Sequence, residues 1–217
     1  MASLPKIGDA ISCVPERDPG ADGSEPPDHC FPLILAIPHL ILAGGGGFGL
    51  AGGGERSEFS LGGQGGLLGA VAVFLAIVSW FTILISGTHI VGIRQFTAFY
   101  LRWRVRALAY FMLLADPYPP FGDGPYPTSI EIVDPTTPRD RISVAFRLLL
   151  AIPHFIVLFF VLLVWMLATI AGWFIILVTG TLPEALHQFG EGAMRWQLRV
   201  EAYLYLMVDE YPPFSLH

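Results

Sequence analysis

Two histidines are the side chains best placed by the sequence to perform chemistry. His39 and His154 each end the string LAIPH, at residues 35–39 and 150–154, and each follows a proline near one end of an apolar stretch. Imidazole is a common ligand of iron and other metals, so two equivalent histidines could ligate one haem iron or two pigment metals. Alternatively, each ring donates to a carbonyl freed by the proline or lies among lipid headgroups. Duplication of the string is compatible with both interpretations.

Patterns typical of enzymes are absent from the sequence. It contains no serine elbow, HExxH, Walker lysine or dinucleotide-binding glycine motif, and its glycine runs at 44–54 and 62–66 lack a preceding strand and a following Lys-Ser/Thr. No carboxylate is predicted within a membrane span, which lowers the expectation of proton or ion transport. We therefore expect no catalytic residues and no enzymatic activity.

The first 30 residues form an acidic arm rich in proline and glycine. Its composition offers little to bury, so we expect no regular secondary structure and a fixed course only against another protein. The arm contains Cys13 and Cys30, which are the only two cysteines. They could form a disulfide in an oxidising compartment or remain free thiols. Asp28 and His29 adjoin Cys30, but the spacing matches no standard zinc pattern, so we expect no metal site.

An internal duplication organises the rest of the chain. Residues 80–121 align with residues 173–214 at an offset of 93, with 19 of 42 positions identical, whereas the LAIPH strings are offset by 115. The difference is a 22-residue insertion in the first copy, where the glycine-rich segment lies. The predicted domains are an arm at 1–30, a first repeat at 31–121 with a glycine-rich insertion at 44–66, a linker at 122–140, and a second repeat at 141–217.

Composition indicates a membrane protein. Hydrophobic residues make up 53% of the chain and charged residues only 14%, and the mean hydropathy of +0.60 exceeds that of ordinary soluble domains. Residues 148–180 contain no Asp, Glu, Lys or Arg, and they exceed the roughly 20 residues that a crossing helix needs. We predict that Leu67 to Ile85 and Leu148 to Val178 cross the bilayer. The segment Phe31 to Ala43 is short for a crossing, so the number of crossings in the first repeat stays open.

An amphipathic, arginine-bearing stretch follows each apolar segment. Arg102 and Arg106 in the first repeat match Arg195 and Arg199 in the second. Because several arginines at the bilayer centre would cost a few kcal/mol each, we predict helices that lie along the membrane interface. The four arginines either mark the wet face of these helices or contact a lipid or a partner carboxylate.

Each repeat ends in a distinctive motif, DPYPPF at 116–121 and DEYPPF at 209–214. Two consecutive prolines cannot continue a helix, so each motif should leave its helix as an extended segment. We predict that the rings of Tyr118, Phe121, Tyr211 and Phe214 dock against the helices of their own repeat or against a partner. Asp116 and Asp209 should then bond backbone N–H groups or a nearby arginine. A plain helix stop would instead leave the rings exposed to solvent.

These strings together resemble a known family. LAIPH, the Trp-Phe pair, the GTLPEAL turn at 180–186, the RWQLRVEAYLYLMVDEYPPFSL tail and the second copy are similar to a bacterial membrane family catalogued as domain of unknown function 4389. The resemblance covers roughly residues 31–121 and 141–217. It implies no activity, ligand or catalytic residue. The first copy departs from the pattern at its glycine insertion and has Pro117 where the second has Glu210.

The sequence therefore predicts an all-α integral membrane protein of two tandem pseudo-repeats, each with a long transmembrane helix and an amphipathic interfacial helix. We expect a bacterial cytoplasmic membrane location and a non-catalytic role as an accessory or scaffold subunit. Its expected partners are membrane lipids and other membrane protein subunits, and no nucleic acid. No cofactor is expected, and the alternative is a lipid-, haem- or pigment-binding protein that uses His39 and His154.

Overall fold

The computed structural model describes residues 66–120, 126–128, 130, 132 and 140–216. The described residues form four α-helices: α1 (Leu67–Ser86), α2 (Val91–Phe111), α3 (Arg141–Thr179) and α4 (Glu184–Leu204). The all-helical prediction is confirmed for this part of the chain. The arm, the segment with His39, most of the glycine-rich insertion, and Phe121 lie outside the described residues.

Each repeat contributes a hairpin of one apolar and one polar helix. A glycine with left-handed backbone ends the apolar helix in both cases: Gly87 and Gly180 both have φ of 76°, and their N–H groups donate to the carbonyls of Ile83 and Ile176. Glycine favours this cap because it has no Cβ to clash in the left-handed region. The two glycines are 93 residues apart, so the duplicated sequence produces the same turn twice.

The apolar helices α1 and α3 are each long and apolar enough to cross a membrane. Helix α1 matches its predicted span to within one residue, whereas α3 begins seven residues before Leu148, at Arg141. Buried positions on α3 recur every three or four residues and form one narrow stripe: Val144, Arg147, Ala151, His154, Leu158, Leu162, Trp165 and Gly172. The rest of α3 is largely exposed and apolar. A helix that is apolar all round but buried along one stripe is suited to an apolar surrounding medium.

The polar helices α2 and α4 lie alongside the apolar helices. Helix α4 runs antiparallel to α3 over most of its length, with contacts that pair Arg147 with Tyr203, His154 with Trp196, and Gly172 with Leu186. Helix α2 likewise returns along α1, where Leu68 packs against Trp103 and Ala107. The arginine-bearing helices thus pack along the apolar helices, and several of their guanidinium groups find partners inside the protein. Their placement along the membrane interface stays a prediction.

A pseudo-two-fold axis relates the two repeats and passes between α2 and α4. Arg94 Nη1 donates to the Met207 carbonyl at 3.2 Å, and the equivalent residues His187 and Leu114 repeat the contact at 3.4 Å. The two turns consequently lie at opposite ends of the bundle. Helices α1 and α3 run in opposite directions, since Trp80 Nε1 near the end of α1 donates to the Val144 carbonyl near the start of α3.

The C-terminal tail folds back along α4 and passes close to a glycine. A Cβ atom on Gly192 would lie 2.6 Å from the Leu216 carbonyl oxygen, whereas one on Gly92 in α2 would meet no atom within 4 Å. Backbone atoms cannot move as easily as the end of a side chain. Gly192 is thus required by the close approach of the tail.

We expect Gly192→Ala to displace the tail and to lower the free energy of unfolding by about 1–3 kcal/mol, the usual cost of overpacking. Gly92→Ala is the matched control and should cause no loss, because the added methyl group has room and alanine favours a helix. Thermal unfolding in detergent and limited proteolysis of the tail would measure the difference. Equal melting temperatures for the two variants would contradict the expectation.

Candidate functional site

An aromatic cluster encloses His154, which is fully buried. Its ring stacks on Phe214 with ring centroids 3.9 Å apart and planes 10° apart, and the Tyr211 ring lies 4.9 Å away. The Nδ1 atom accepts a hydrogen bond from Trp196 Nε1 at 3.3 Å. Helix α3 provides the histidine, α4 provides the tryptophan, and the tail provides both remaining rings.

The hydrogen bonding of His154 bears on the predicted metal ligation. An indole N–H can only donate, so Nδ1 is the acceptor and the proton of the neutral ring is assigned to Nε2. Nε2 is buried and makes no hydrogen bond of standard geometry, although the Pro212 carbonyl lies close to it. To ligate a metal, His154 would have to release Trp196 or lose the Nε2 proton within a packed cluster. The geometry favours a structural role, while haem or pigment ligation by His39 and His154 stays a prediction.

A tyrosine binds the backbone next to the proline in α3. Tyr211 donates its hydroxyl to the Leu150 carbonyl at 3.2 Å, in the turn that precedes Pro153. Proline disturbs the hydrogen bonds of the preceding helical turn, so a side-chain donor there offsets part of the cost. The sequence suggested that the histidine itself donates to the carbonyl freed by the proline, which is that of Leu149. In the second repeat the tail tyrosine donates to the neighbouring Leu150 carbonyl instead.

The acidic residue of the second tail motif binds an arginine, as predicted. Arg147 Nη2 donates to Asp209 Oδ1 at 2.8 Å, and its Nη1 donates to the Tyr203 carbonyl at 3.0 Å. The guanidinium carbon also lies 4.4 Å from the centroid of the Tyr203 ring. Sequence reasoning missed Arg147, although it precedes His154 by seven residues and therefore shares its face of the helix. The LAIPH offset places Pro32 at the equivalent position of the first repeat.

The first tail motif reproduces part of this arrangement. Tyr118 meets Tyr110 edge to face at 5.8 Å, and the equivalent Tyr211 meets Tyr203 at 5.9 Å. Tyr118 and Tyr211 are also exposed to almost the same degree, 42% and 40%. Tyr118, Tyr211 and Phe214 each contact a ring on a helix of their own repeat, yet they remain about half exposed, so their docking stays a prediction. Phe121 lies outside the described residues.

The four matched arginines do not form a wet face. Arg106 and Arg199 are only 6% and 7% exposed, and Arg102 and Arg195 are half-buried. Arg199 Nη2 donates to the Ser215 carbonyl at 3.0 Å and so binds the tail. Burial, with a smaller effect of the Arg195 charge, lowers the pKa of Arg199 below its usual value. The wet-face interpretation is therefore wrong for Arg106 and Arg199, since their helices are enclosed by other parts of the protein.

A buried ion pair joins α2 to α4. Arg104 Nη1 lies 2.7 Å from both carboxylate oxygens of Glu201, and the two side chains are 1% and 4% exposed. Gln197 Nε2 donates to the same carboxylate at 2.8 Å. Burial is the largest single influence and opposes the charge on Arg104, but Glu201 together with the Tyr100 and Tyr205 hydroxyls outweighs it, and the pKa of Arg104 is raised. Burial also raises the pKa of the nearby Tyr100 hydroxyl to about 12, so that hydroxyl stays neutral beside the Arg104–Glu201 pair.

The pairing of Arg104 with Glu201 was not predicted, although a signal was present in the alignment of the repeats. Arg104 aligns with Gln197, and Glu201 aligns with Leu108. Each repeat thus contributes one charge that its counterpart lacks. Among the residues that the structure describes, no three His, Cys, Asp or Glu side chains are grouped so that they could hold a metal ion.

Over the residues that the structure describes, the fold and these sites define a duplicated all-helical protein with buried charged side chains in its core and two apolar outer helices. The family described as Domain of unknown function (DUF4389) matches residues 65–122 and 141–215, more than half of the chain, and the protein belongs to this family. The two matched segments confirm the two tandem copies. The first begins after residues 35–39, so the first LAIPH string lies outside the match. No curated protein and no solved structure matches the chain.

Proposed function

We propose that this protein is a non-catalytic subunit, embedded in the bacterial cytoplasmic membrane, that supports other membrane proteins. One observation carries the proposal: Arg104, Arg147 and Arg199 bind carboxylates or a backbone carbonyl inside the protein, while the outer surface of α1 and α3 is apolar. Arg104 and Arg147 each bind a carboxylate, and Arg199 binds the tail. Groups engaged in this way hold the fold together, which supports a structural role for them.

The apolar surface is the part that fits lipid. On α1, exposed large hydrophobic residues recur at helical spacing, at Phe74, Ile77, Phe81 and Ile85. Helix α1 is about 30 Å long at 1.5 Å per residue, which equals the thickness of a bilayer core. Exposed apolar area of this extent on a monomer is typical of a membrane or protein interaction surface.

The length of α3 is the reason for proposing protein partners in addition to lipid. Its 39 residues extend about 58 Å, nearly twice the hydrocarbon thickness. Tilt accommodates part of the excess. Exposed residues such as Ile142 and Val178 near its two ends would then contact subunits of an assembly beyond the lipid core.

Membrane insertion should be sensitive to a charge on the outer face of α1. We expect Phe74→Arg to reduce the fraction of protein that resists carbonate extraction, because arginine at the centre of a membrane helix costs about 2.5–3.5 kcal/mol. Thr88→Arg places the same charge in the exposed turn after α1 and is the matched control, which should extract like the unchanged protein. Complete release of the unchanged protein by carbonate would contradict membrane embedding.

Partner subunits can be sought by native purification in mild detergent followed by mass spectrometry. The proposal expects other membrane proteins in constant ratio to this chain. A pure protein that is monodisperse and carries no other subunit would contradict the scaffold role. A visible absorbance band from haem or pigment would instead support the cofactor-binding alternative.

A further inference from the structure

We propose that the Arg104–Glu201 pair makes α2 and α4 select each other, so that the two repeats of one chain associate and a second copy of the chain is rejected. Such selection is needed because the two halves of a duplicated chain retain similar surfaces. Two chains could in principle pair first repeat with first repeat, or second with second. This proposal concerns the interface between repeats and does not depend on the membrane role.

The pseudo-two-fold axis defines which positions face each other. The Arg94–Met207 contact is repeated by His187 and Leu114, and the contact between Tyr100 and Tyr205 has its counterpart in Met112 and Ala193, which share one apolar cluster. By the same relation, Arg104 faces Glu201 on one side of the axis, and Leu108 and Gln197 occupy the equivalent positions on the other.

The centre of this interface does not distinguish one repeat from the other by polarity. Val105 and Leu198 are equivalent residues near the axis, and both are fully buried and apolar. An apolar contact of similar shape would form whether α2 met α4 or another copy of itself. The strongest discrimination is therefore expected from buried positions where the repeats differ in charge.

Pairing of like repeats would leave buried charges without partners. If α2 met α2, each Arg104 would face Leu108, and the interface would bury two guanidinium groups and no carboxylate. If α4 met α4, each Glu201 would face Gln197, and it would bury two carboxylates and no cation. An unpaired buried charge is strongly unfavourable, whereas the mixed pairing neutralises both charges in one contact. The geometry therefore favours only the pairing of unlike repeats.

Three full-length variants test this selection. R104Q/L108E gives α2 the residues of α4, and Q197R/E201L gives α4 the residues of α2. The quadruple variant that combines them restores one cation and one anion at the mirrored positions. We expect each double variant to melt about 10 °C or more below the unchanged protein in detergent, and the quadruple variant to recover most of that loss. A quadruple variant that melts no higher than the doubles would overturn the proposal.

Co-expression tests the choice of partner directly. The first double variant carries carboxylates on both helices and the second carries arginines on both, so neither can satisfy its charges alone. With different affinity tags, the two doubles should co-purify as a mixed dimer, at least tenfold above the background seen between two tagged copies of the unchanged protein. Co-purification at the background level would overturn the proposal, since a merely structural ion pair predicts no exchange between chains.

Discussion

Replacing Glu201 with Gln should lower the free energy of unfolding by about 3–5 kcal/mol, the cost of breaking a buried ion pair by removing one partner. The substitution preserves the shape of the side chain but leaves the Arg104 guanidinium without a counter-charge. Both side chains are almost completely buried, so water cannot replace the lost partner. Chemical denaturation in detergent, followed by circular dichroism, would measure the change.

A double substitution separates the loss of charge pairing from the loss of packing. Arg104→Met with Glu201→Leu removes both charges and keeps apolar volume, so its stability should stay close to that of the unchanged protein or exceed it. If Glu201→Gln alone were within about 1 kcal/mol of the unchanged protein, the pair would behave like an exposed surface ion pair. The buried arrangement of α2 and α4 would then be wrong.

The sequence predicted the elements of this fold well, because they depend on local patterns. The repeat offset of 93 predicted two equivalent units, and the apolar run of the first repeat predicted α1 to within one residue. The two prolines of each motif predicted an extended exit, and Asp209 binds an arginine as expected. These features follow from neighbours in the chain, which a sequence displays directly.

The packing of the arginine-bearing helices could not be predicted from the sequence, because the sequence does not show which charges meet. The prediction considered only the free-energy cost of placing arginine in lipid, so it favoured the membrane interface as the location of these helices. In the structure, Arg104 binds a carboxylate 97 residues away and Arg147 binds one 62 residues away. These partners offset the cost of burial and allow α2 and α4 to lie inside the protein. Pairing at such separation follows from the topology, which no local pattern contains.

The role of His154 was open for a similar reason. Periodicity placed it on an apolar helix beside a proline, which is compatible with a ligand or with a packed ring. Its neighbours Trp196 and Phe214 come from α4 and the tail, 42 and 60 residues later. Only the return of the tail over α3 brings the three rings together and favours packing.

Removal of both tail rings, Tyr211→Ala with Phe214→Ala, should lower the free energy of unfolding by about 2–4 kcal/mol. Truncation of a fully buried ring typically costs more, but Tyr211 and Phe214 are 40% and 51% exposed. The loss includes the stack of Phe214 on His154 and the hydrogen bond from Tyr211 to the Leu150 carbonyl. Thermal unfolding in detergent would measure the loss, and native co-purification would show whether the rings also hold a partner.

Single substitutions separate the contribution of the tail rings to stability from that of the Tyr211 hydroxyl. Tyr211→Phe keeps the ring against His154 and removes only the hydrogen bond, so it should cost about 0.5–1.5 kcal/mol. Phe174→Ala removes an exposed ring from the outer face of α3 and should change stability less than the double tail variant. If the double tail variant matched Phe174→Ala in melting and in co-purification, the DEYPPF motif would only terminate α4. A larger loss in the double variant would establish that the tail holds α3 and α4 together through His154.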